Sequence, residues 1–88
     1  MVSRTVDVLN KRGLHARASA KFVTLASAHP AAIEVEKDGA KVSGTSIMGL
    51  MMLGAAMGDQ ITITAVGDGA EEALAALAEL VEAKFGED

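Results

Sequence analysis

The spacing of apolar residues changes several times along this chain, from every second residue to every third or fourth. The first spacing is typical of a half-buried strand, and the second is typical of one face of a helix. The pattern predicts strands over 2–8, over 33–36, around Val42 and over 60–66, and helices over 16–28, over 47–53 and from 70 to about 86. The predicted element order is therefore βαββαβα.

Short local signals mark several of the predicted boundaries. Asp38-Gly39 lies between the second and third strands and favours the positive backbone angles of a tight hairpin turn. Ser46 can cap the second helix with its hydroxyl group. Asp68 is followed three residues later by Glu71, a capping pattern that predicts the start of the third helix.

Four strands and three helices in this order predict an α+β domain with two layers. We expect a mostly antiparallel four-stranded sheet with the three helices on one face. At 88 residues the chain is long enough for one compact core and too short for a second domain or a deep enclosed active site. We therefore expect a single domain over residues 1–88.

The composition bears on where the protein works. The chain has no Cys, Trp or Tyr and only two Phe, so its core must use Val, Ile, Leu, Met and Ala without a disulfide. A short chain without disulfides suits a reducing compartment, and segment 1–7 lacks the apolar stretch of a secretory signal. The most apolar run, 47–57, is about half as long as a membrane-spanning helix. We expect a cytoplasmic protein that does not insert into a membrane.

The basic residues are concentrated in one segment. The formal net charge of −4 disfavours nucleic acid as the main partner, because binding to a phosphate backbone requires clustered cations. Half of the eight basic residues nevertheless lie between positions 10 and 21: Lys11, Arg12, Arg17 and Lys21. This cluster favours docking against an acidic protein surface. A solvated basic loop is the alternative that the pattern leaves open.

The chemically active side chains are concentrated between strand one and helix one. We expect His15 at the N-cap of the helix, where backbone N–H groups and the positive end of the helix dipole can hold phosphate oxygens. The residues whose N–H groups would form this cradle are Ala16, Arg17 and Ala18. The planar guanidinium of Arg17 can add two parallel hydrogen bonds. Taken alone, the short motif is a weak signal: it favours a histidine that caps the helix for structural reasons, and it also allows a phosphoryl-carrying histidine.

Two motifs occur at a fixed separation: Gly13-Leu14-His15-Ala16-Arg17, followed by Phe22-Val23, and Gly44-Thr45-Ser46-Ile47-Met48-Gly49-Leu50-Met51. Together they closely resemble HPr, the family of histidine-containing phosphocarriers of the bacterial phosphotransferase system, and the resemblance spans essentially the whole chain. It implies an open-faced β-sandwich. It also implies that His15 accepts a phosphoryl group through Nδ1 from phosphorylated Enzyme I, which is charged by phosphoenolpyruvate. His15 would then pass the group to a histidine of an EIIA-type protein, with Arg17 steadying it.

The second motif implies a docking surface and a regulatory site. The resemblance assigns partner docking to Ile47, Met48 and Met51, beside the basic cluster. Ser46 matches a serine that an ATP-dependent HPr kinase phosphorylates in some members, which implies the same regulation here in addition to the capping role. The alternative for the methionines is that they fill an irregular core without aromatics. That alternative concerns Met48, Met51, Met52 and Met57.

Other features limit the function further. Ala18 stands where familiar members of the family carry a proline that would stiffen the first helical turn. His29, just before Pro30, is expected to interact with the helix end. We expect neither a metal site nor a cofactor. No residue set for independent catalysis can be assembled, and His15 is expected to lack an orienting carboxylate.

Two rival functions remain open at this point. One is a paralogue in a nitrogen-related regulatory phosphotransfer chain, with the same chemistry and a signalling output. The other is a binding regulator of the same fold that is not phosphorylated, in which His15 only caps the helix. A carrier that presents one surface to donor and acceptor in turn is expected to be a monomer. It would be a phosphotransfer intermediate rather than an independent enzyme.

Overall fold

Four strands form one antiparallel sheet, and three helices cover one of its faces. In the computed structural model, which describes residues 1–87, the elements are β1 (Val2–Asp7), α1 (Ala16–Ser27), β2 (Ala32–Lys37), β3 (Ala40–Ser43), α2 (Ile47–Met52), β4 (Gln60–Val66) and α3 (Ala70–Glu82), followed by one 3-10 turn (Lys84–Gly86). The strand order in the sheet is β1-β4-β2-β3, and all three neighbouring pairs are antiparallel. The predicted α+β class and the βαββαβα order are confirmed.

The two faces of the sheet differ in polarity because side chains alternate along each strand. In β2 and β4 the residues that face the helices are buried: Ile33, Val35, Ile61, Ile63 and Ala65. On the opposite face, hydroxyl groups of β1 and β4 pair across the strands. Thr5 and Thr62 are 2.9 Å apart, and Ser3 and Thr64 are 3.1 Å apart. One face therefore packs against α1 and α3, while the other meets solvent.

The core consists mainly of aliphatic side chains from the sheet and from α1 and α3. Both aromatic residues of the chain, Phe22 and Phe85, are fully buried, with exposed fractions of 0% and 1%. Burial of a side chain of this size contributes about 1.5–3 kcal/mol, so these two residues account for a substantial share of the core. Phe22 lies in α1 and Phe85 follows α3, so the second phenylalanine fixes the chain end against the domain.

The predicted turn and cap signals had different outcomes. Asp38 and Gly39 have φ angles of 52° and 84°, which confirms the hairpin turn. Ser46 caps α2, because its Oγ accepts a hydrogen bond from the backbone N–H of Gly49 at 3.0 Å. The predicted cap by Asp68 was wrong. Residue Gly69 occupies the N-cap of α3 in the left-handed region with φ 72°, so no side chain caps that helix.

The end of α3 also differs from the prediction. The α-helix ends at Glu82 rather than near Gly86. Lys84, Phe85 and Gly86 then adopt successive positive φ angles of 59°, 56° and 75°. These angles reverse the chain direction, place Phe85 in the core and bring Glu87 toward the start of α1. The longest helix over residues 1–87 has 13 residues, and none is long and apolar enough to cross a membrane.

Candidate functional site

A tightly packed loop leads from β1 into α1. The backbone N–H of Leu14 donates to the carbonyl oxygen of Ala55 at 3.0 Å, so the loop rests on the segment before β4. Gly13 has φ 62°, and a Cβ at this position would lie 2.2 Å from the same carbonyl oxygen. Only glycine fits, because both the backbone angle and the space exclude a side chain. This contact fixes the position from which α1 starts.

Asn10 is a second determinant of the loop that the sequence analysis missed. Its side chain is fully buried, and its Nδ2 donates to the carbonyl oxygen of Gly13 at 2.8 Å. The same amide donates to Glu87 Oε1 at 3.2 Å. Asn10 thus links the loop to Glu87. The only sequence signal was a polar residue shortly before a glycine, which is common in turns with no such role.

His15 occupies the N-cap of α1, as predicted. Its backbone is extended, with φ −75° and ψ 179°, and its carbonyl oxygen accepts from the N–H of Ser19 at 2.9 Å. The imidazole makes no capping hydrogen bond to the helix. Within residues 1–87, the N–H groups of Ala16, Arg17 and Ala18 have no acceptor. The His15 side chain therefore does not cap the helix, as the capping alternative would require.

The expectation that His15 lacks an orienting carboxylate was wrong. Its Nε2 lies 2.9 Å from Oε2 and 3.2 Å from Oε1 of Glu87, a residue 72 positions away in the sequence. An ionised carboxylate can only accept, so Nε2 carries the proton and donates. In the neutral ring the lone pair is then on Nδ1. The side chains of His15 and Glu87 are 16% and 14% exposed, which places the pair at the protein surface but largely shielded from water.

Three groups converge on the Glu87 carboxylate. Besides the contacts with Asn10 and His15, Arg17 Nε forms an ion pair with Oε2 at 3.5 Å. Burial of the carboxylate opposes its ionisation, but the hydrogen bonds from Asn10 and His15 and the charges of His15 and Arg17 outweigh it. The pKa of Glu87 is consequently lowered. Arg17 itself remains 65% exposed, and its guanidinium retains donors that can reach a ligand beside the ring.

The predicted basic cluster separates into two kinds of residue. Lys11 and Arg12 are exposed on the loop before α1. Lys21 also belongs to the exposed residues of α1, but its ammonium donates to the carbonyl oxygen of Phe85 at 2.7 Å. Lys21 therefore secures the turn that carries Glu87, in addition to contributing positive charge beside Arg17.

Helix α2 and the segment after it expose five apolar side chains, which we call the methionine patch: Ile47, Met48, Met51 and Met52 of the helix and Met57 beyond its end, with exposed fractions of 40%, 71%, 42%, 79% and 58%. The core-filling alternative for the methionines was wrong. Helix α2 has only six residues, and Leu50 is its one fully buried side chain. Exposed apolar side chains concentrated in one short segment are typical of interaction surfaces.

The remaining singled-out residues lie away from this site or in the core. His29 follows α1, with its backbone N–H donating to Ala26 at 3.2 Å, and its side chain is half-buried. Across residues 1–87, no group of His, Cys, Asp or Glu is arranged to hold a metal ion. Ala18, at the position of the family proline, is fully buried in the first part of α1.

Comparison with known proteins places this geometry in one family. Residues 2–83 match the PTS-HPr family, described as "PTS HPr component phosphorylation site". The phosphocarrier protein HPr of Neisseria meningitidis serogroup B is 45% identical over 87 residues, which cover 99% of this chain and 98% of the relative. The phosphocarrier protein NPr of Shewanella violacea is 44% identical over 86 residues, covering 98% and 94%.

Solved structures agree with the sequence comparisons. The crystal structure of HPr-C-His from Thermoanaerobacter tengcongensis matches with a TM-score of 0.96 and 49% identity, over 100% of this chain and 99% of that one. A crystal structure of an HPr dimer from the same organism matches with a TM-score of 0.78 and 49% identity, over 99% and 100%. The family match and the full-length relatives show that the chain belongs to the HPr phosphocarrier family of the phosphotransferase system.

Proposed function

We propose that His15 of this chain carries a phosphoryl group from phosphorylated Enzyme I to EIIA-type proteins. The observation that carries the proposal is the orientation of the imidazole. Its Nε2 is engaged by Glu87 at 2.9 Å, which leaves the lone pair of Nδ1 for the phosphorus atom. The donor's N–P bond breaks as the Nδ1–P bond forms, and the same exchange in the opposite sense delivers the group to the acceptor histidine.

The start of α1 supplies the stabilisation that this transfer needs. The N–H groups of Ala16, Arg17 and Ala18, together with the Arg17 guanidinium, offer donors to oxygens whose charge is redistributed in the transition state. A helix dipole contributes about 0.3–2 kcal/mol to an anion at this position, which suits a group that must leave again. We infer that the site lowers the transfer barrier without storing the phosphoryl group tightly.

Docking would use the surface around this site. The methionine patch lies on α2 and just after it, Lys11 and Arg12 precede α1, and Lys21 lies on α1. Thioether side chains adapt to partners of different shape. A groove of about 520 Å³ also lies beside Arg17. Its lining residues are Arg17, Ala20, Lys21, Thr24, Leu25, Ala28 and Leu80. We propose a monomer that works in the cytoplasm and meets donor and acceptor in brief, electrostatically steered encounters.

The carrier function is tested by intact-mass analysis of the wild type and His15→Ala. Each protein is incubated with phosphoenolpyruvate, magnesium and active Enzyme I from the same organism, and then treated briefly with acid. We expect one phosphoryl group on the wild type, lost in acid, and none on the variant. An unmodified wild type beside a working Enzyme I would reject the carrier role and favour the binding regulator.

We further propose that Ser46 is a regulatory phosphorylation site for an HPr serine kinase. A phosphoryl group there adds about two negative charges at the start of α2, beside the methionine patch and at a helix end that tolerates an anion. The fold would change little while docking to Enzyme I is obstructed. We expect Ser46→Asp to accept phosphate from Enzyme I more slowly than Ser46→Ala. Equal rates for Ser46→Asp and the wild type would reject this regulation.

A nitrogen-related output is the second candidate, favoured by the 44% identity to an NPr protein. Its chemistry at His15 would be the same, so the two candidates differ only in the partners that exchange the phosphoryl group. Transfer assays with an Enzyme I and EIIA pair from each branch separate them. We expect the faster uptake and delivery with the sugar-uptake pair, because the Ser46-Ile47-Met48-Gly49 motif matches HPr.

A further inference from the structure

Glu87 is held in place by more contacts than a mobile chain end would need. Phe85 is 1% exposed and fixes the turn in the core, and its carbonyl oxygen accepts from Lys21 Nζ at 2.7 Å. The buried amide of Asn10 donates to Glu87 Oε1 at 3.2 Å. The Phe85 ring, Lys21 and Asn10 therefore hold the Glu87 carboxylate in position beside His15.

The turn that delivers this carboxylate is also conformationally unusual. Lys84 and Phe85 adopt φ angles of 59° and 56°, although neither is glycine. Left-handed backbone at such residues is unfavourable and persists only where the surroundings impose it. In this turn the buried ring and the Lys21 bond impose it, and the result is the His15–Glu87 contact. The conformational cost of these two angles is consistent with a role of the turn in positioning Glu87 at the active site.

We propose that Glu87 is a positioning residue for His15: its carboxylate accepts the Nε2–H bond, orients the ring and stabilises the imidazolium that forms when Nδ1 takes the phosphoryl group. The inference rests on the proposed function and deepens it. A carboxylate that holds the far nitrogen of a nucleophilic or basic imidazole acts in the same way in hydrolase triads. Position 87 lies outside both sequence motifs and outside residues 2–83, which match the family.

The transfer step balances without any further reactant. The Nδ1 lone pair forms the bond to phosphorus, and the electron pair of the donor's N–P bond returns to the donor ring. The Nε2 proton stays on His15, so the phosphorylated ring is positive and pairs with the negative Glu87. Arg17, whose Nε lies 3.5 Å from Glu87 Oε2, has further guanidinium donors for the phosphoryl oxygens.

The first arm of the test reads the hydrogen bond in the unphosphorylated protein. Proton and nitrogen NMR at neutral pH and low temperature should show a slowly exchanging Nε2–H resonance that His15→Ala removes. We expect Glu87→Gln to keep this resonance, because its carbonyl oxygen still accepts, and Glu87→Ala to lose it. Glu79→Gln, which removes an exposed carboxylate on α3, should leave it unchanged.

The second arm measures uptake of the phosphoryl group from phosphorylated Enzyme I. We expect Glu87→Gln and Glu87→Ala to lower kcat by about threefold to tenfold with little change in KM, because the lost interaction strengthens only in the transition state. Glu79→Gln should match the wild type. A role confined to anchoring the chain end would leave kcat unchanged or raise KM alone.

The two arms separate this inference from the carrier function. An Nε2–H resonance that survives in Glu87→Ala, or kcat values equal to the wild type in both Glu87 variants, would overturn the positioning role. The carrier role would be overturned if the wild type shows the resonance and Glu87→Ala lacks it, but the wild type never takes a phosphoryl group. In that case the orientation of the ring by Glu87 would stand.

Discussion

Replacing Gly13 by alanine tests whether the loop before α1 is as tightly packed as the structure shows. The left-handed backbone, with φ 62°, costs about 1–2 kcal/mol once a Cβ is present. The Cβ would lie 2.2 Å from the Ala55 carbonyl oxygen and 2.9 Å from Ala56 Cα, so the two segments must separate. Overpacking of this kind costs about 1–3 kcal/mol. Losing the Leu14–Ala55 hydrogen bond adds about 1 kcal/mol.

The expected loss of unfolding free energy is therefore about 3–6 kcal/mol, a large part of the ~5–15 kcal/mol that stabilises a small domain. Urea unfolding monitored by far-UV circular dichroism measures this loss. Gly54→Ala is the matched control, because Gly54 has φ 66° and no atom within 4 Å of an added Cβ. It should lose only about 1–2 kcal/mol. Equal losses in the two variants would refute the close approach of the loop to Ala55.

Three further predictions concern the site's supports. Ser46→Ala removes the cap of α2 and should lower the free energy of unfolding by about 1 kcal/mol in urea titrations. Phe85→Ala should cost about 3–5 kcal/mol and broaden the Glu87 side-chain signals in NMR spectra, since the buried ring fixes the turn. Because the pKa of Glu87 is lowered below its usual 4.5, the carboxylate stabilises the folded state above that pH, and the benefit is lost as pH falls through the lower folded value. The stability difference between wild type and Glu87→Gln should thus be constant near neutrality and shrink in acid, and a difference that grew in acid would contradict the assignment.

Hydrophobic spacing predicted most of the element order, because α1, β2, β4 and α3 each bury one face. β4 over Gln60–Val66 agrees at both ends with the predicted segment, and α1 over Ala16–Ser27 agrees to within one residue. His15 was also placed correctly at a helix start, since Gly13 and the change of period mark that boundary. In these segments local preference and burial point to the same structure.

The errors lie where contacts distant in sequence decide the structure. The orienting carboxylate was missed because His15 and Glu87 are 72 residues apart and meet only through the left-handed angles of Lys84 and Phe85. No local rule predicts such angles at non-glycine residues. The methionines were partly assigned to the core because spacing alone cannot show that a six-residue helix buries only Leu50. The α3 cap was misplaced because Gly69, not Asp68, adopts the N-cap position.

The most direct test of the central claim is to locate the phosphoryl group on the phosphorylated wild type by phosphorus and nitrogen NMR. The account predicts a single phosphorus signal coupled to Nδ1 of His15, with Nε2 still protonated toward Glu87. A phosphoryl group on Nε2, on His29 or on a hydroxyl would contradict it, because each requires an imidazole orientation or a site other than the one that this structure builds.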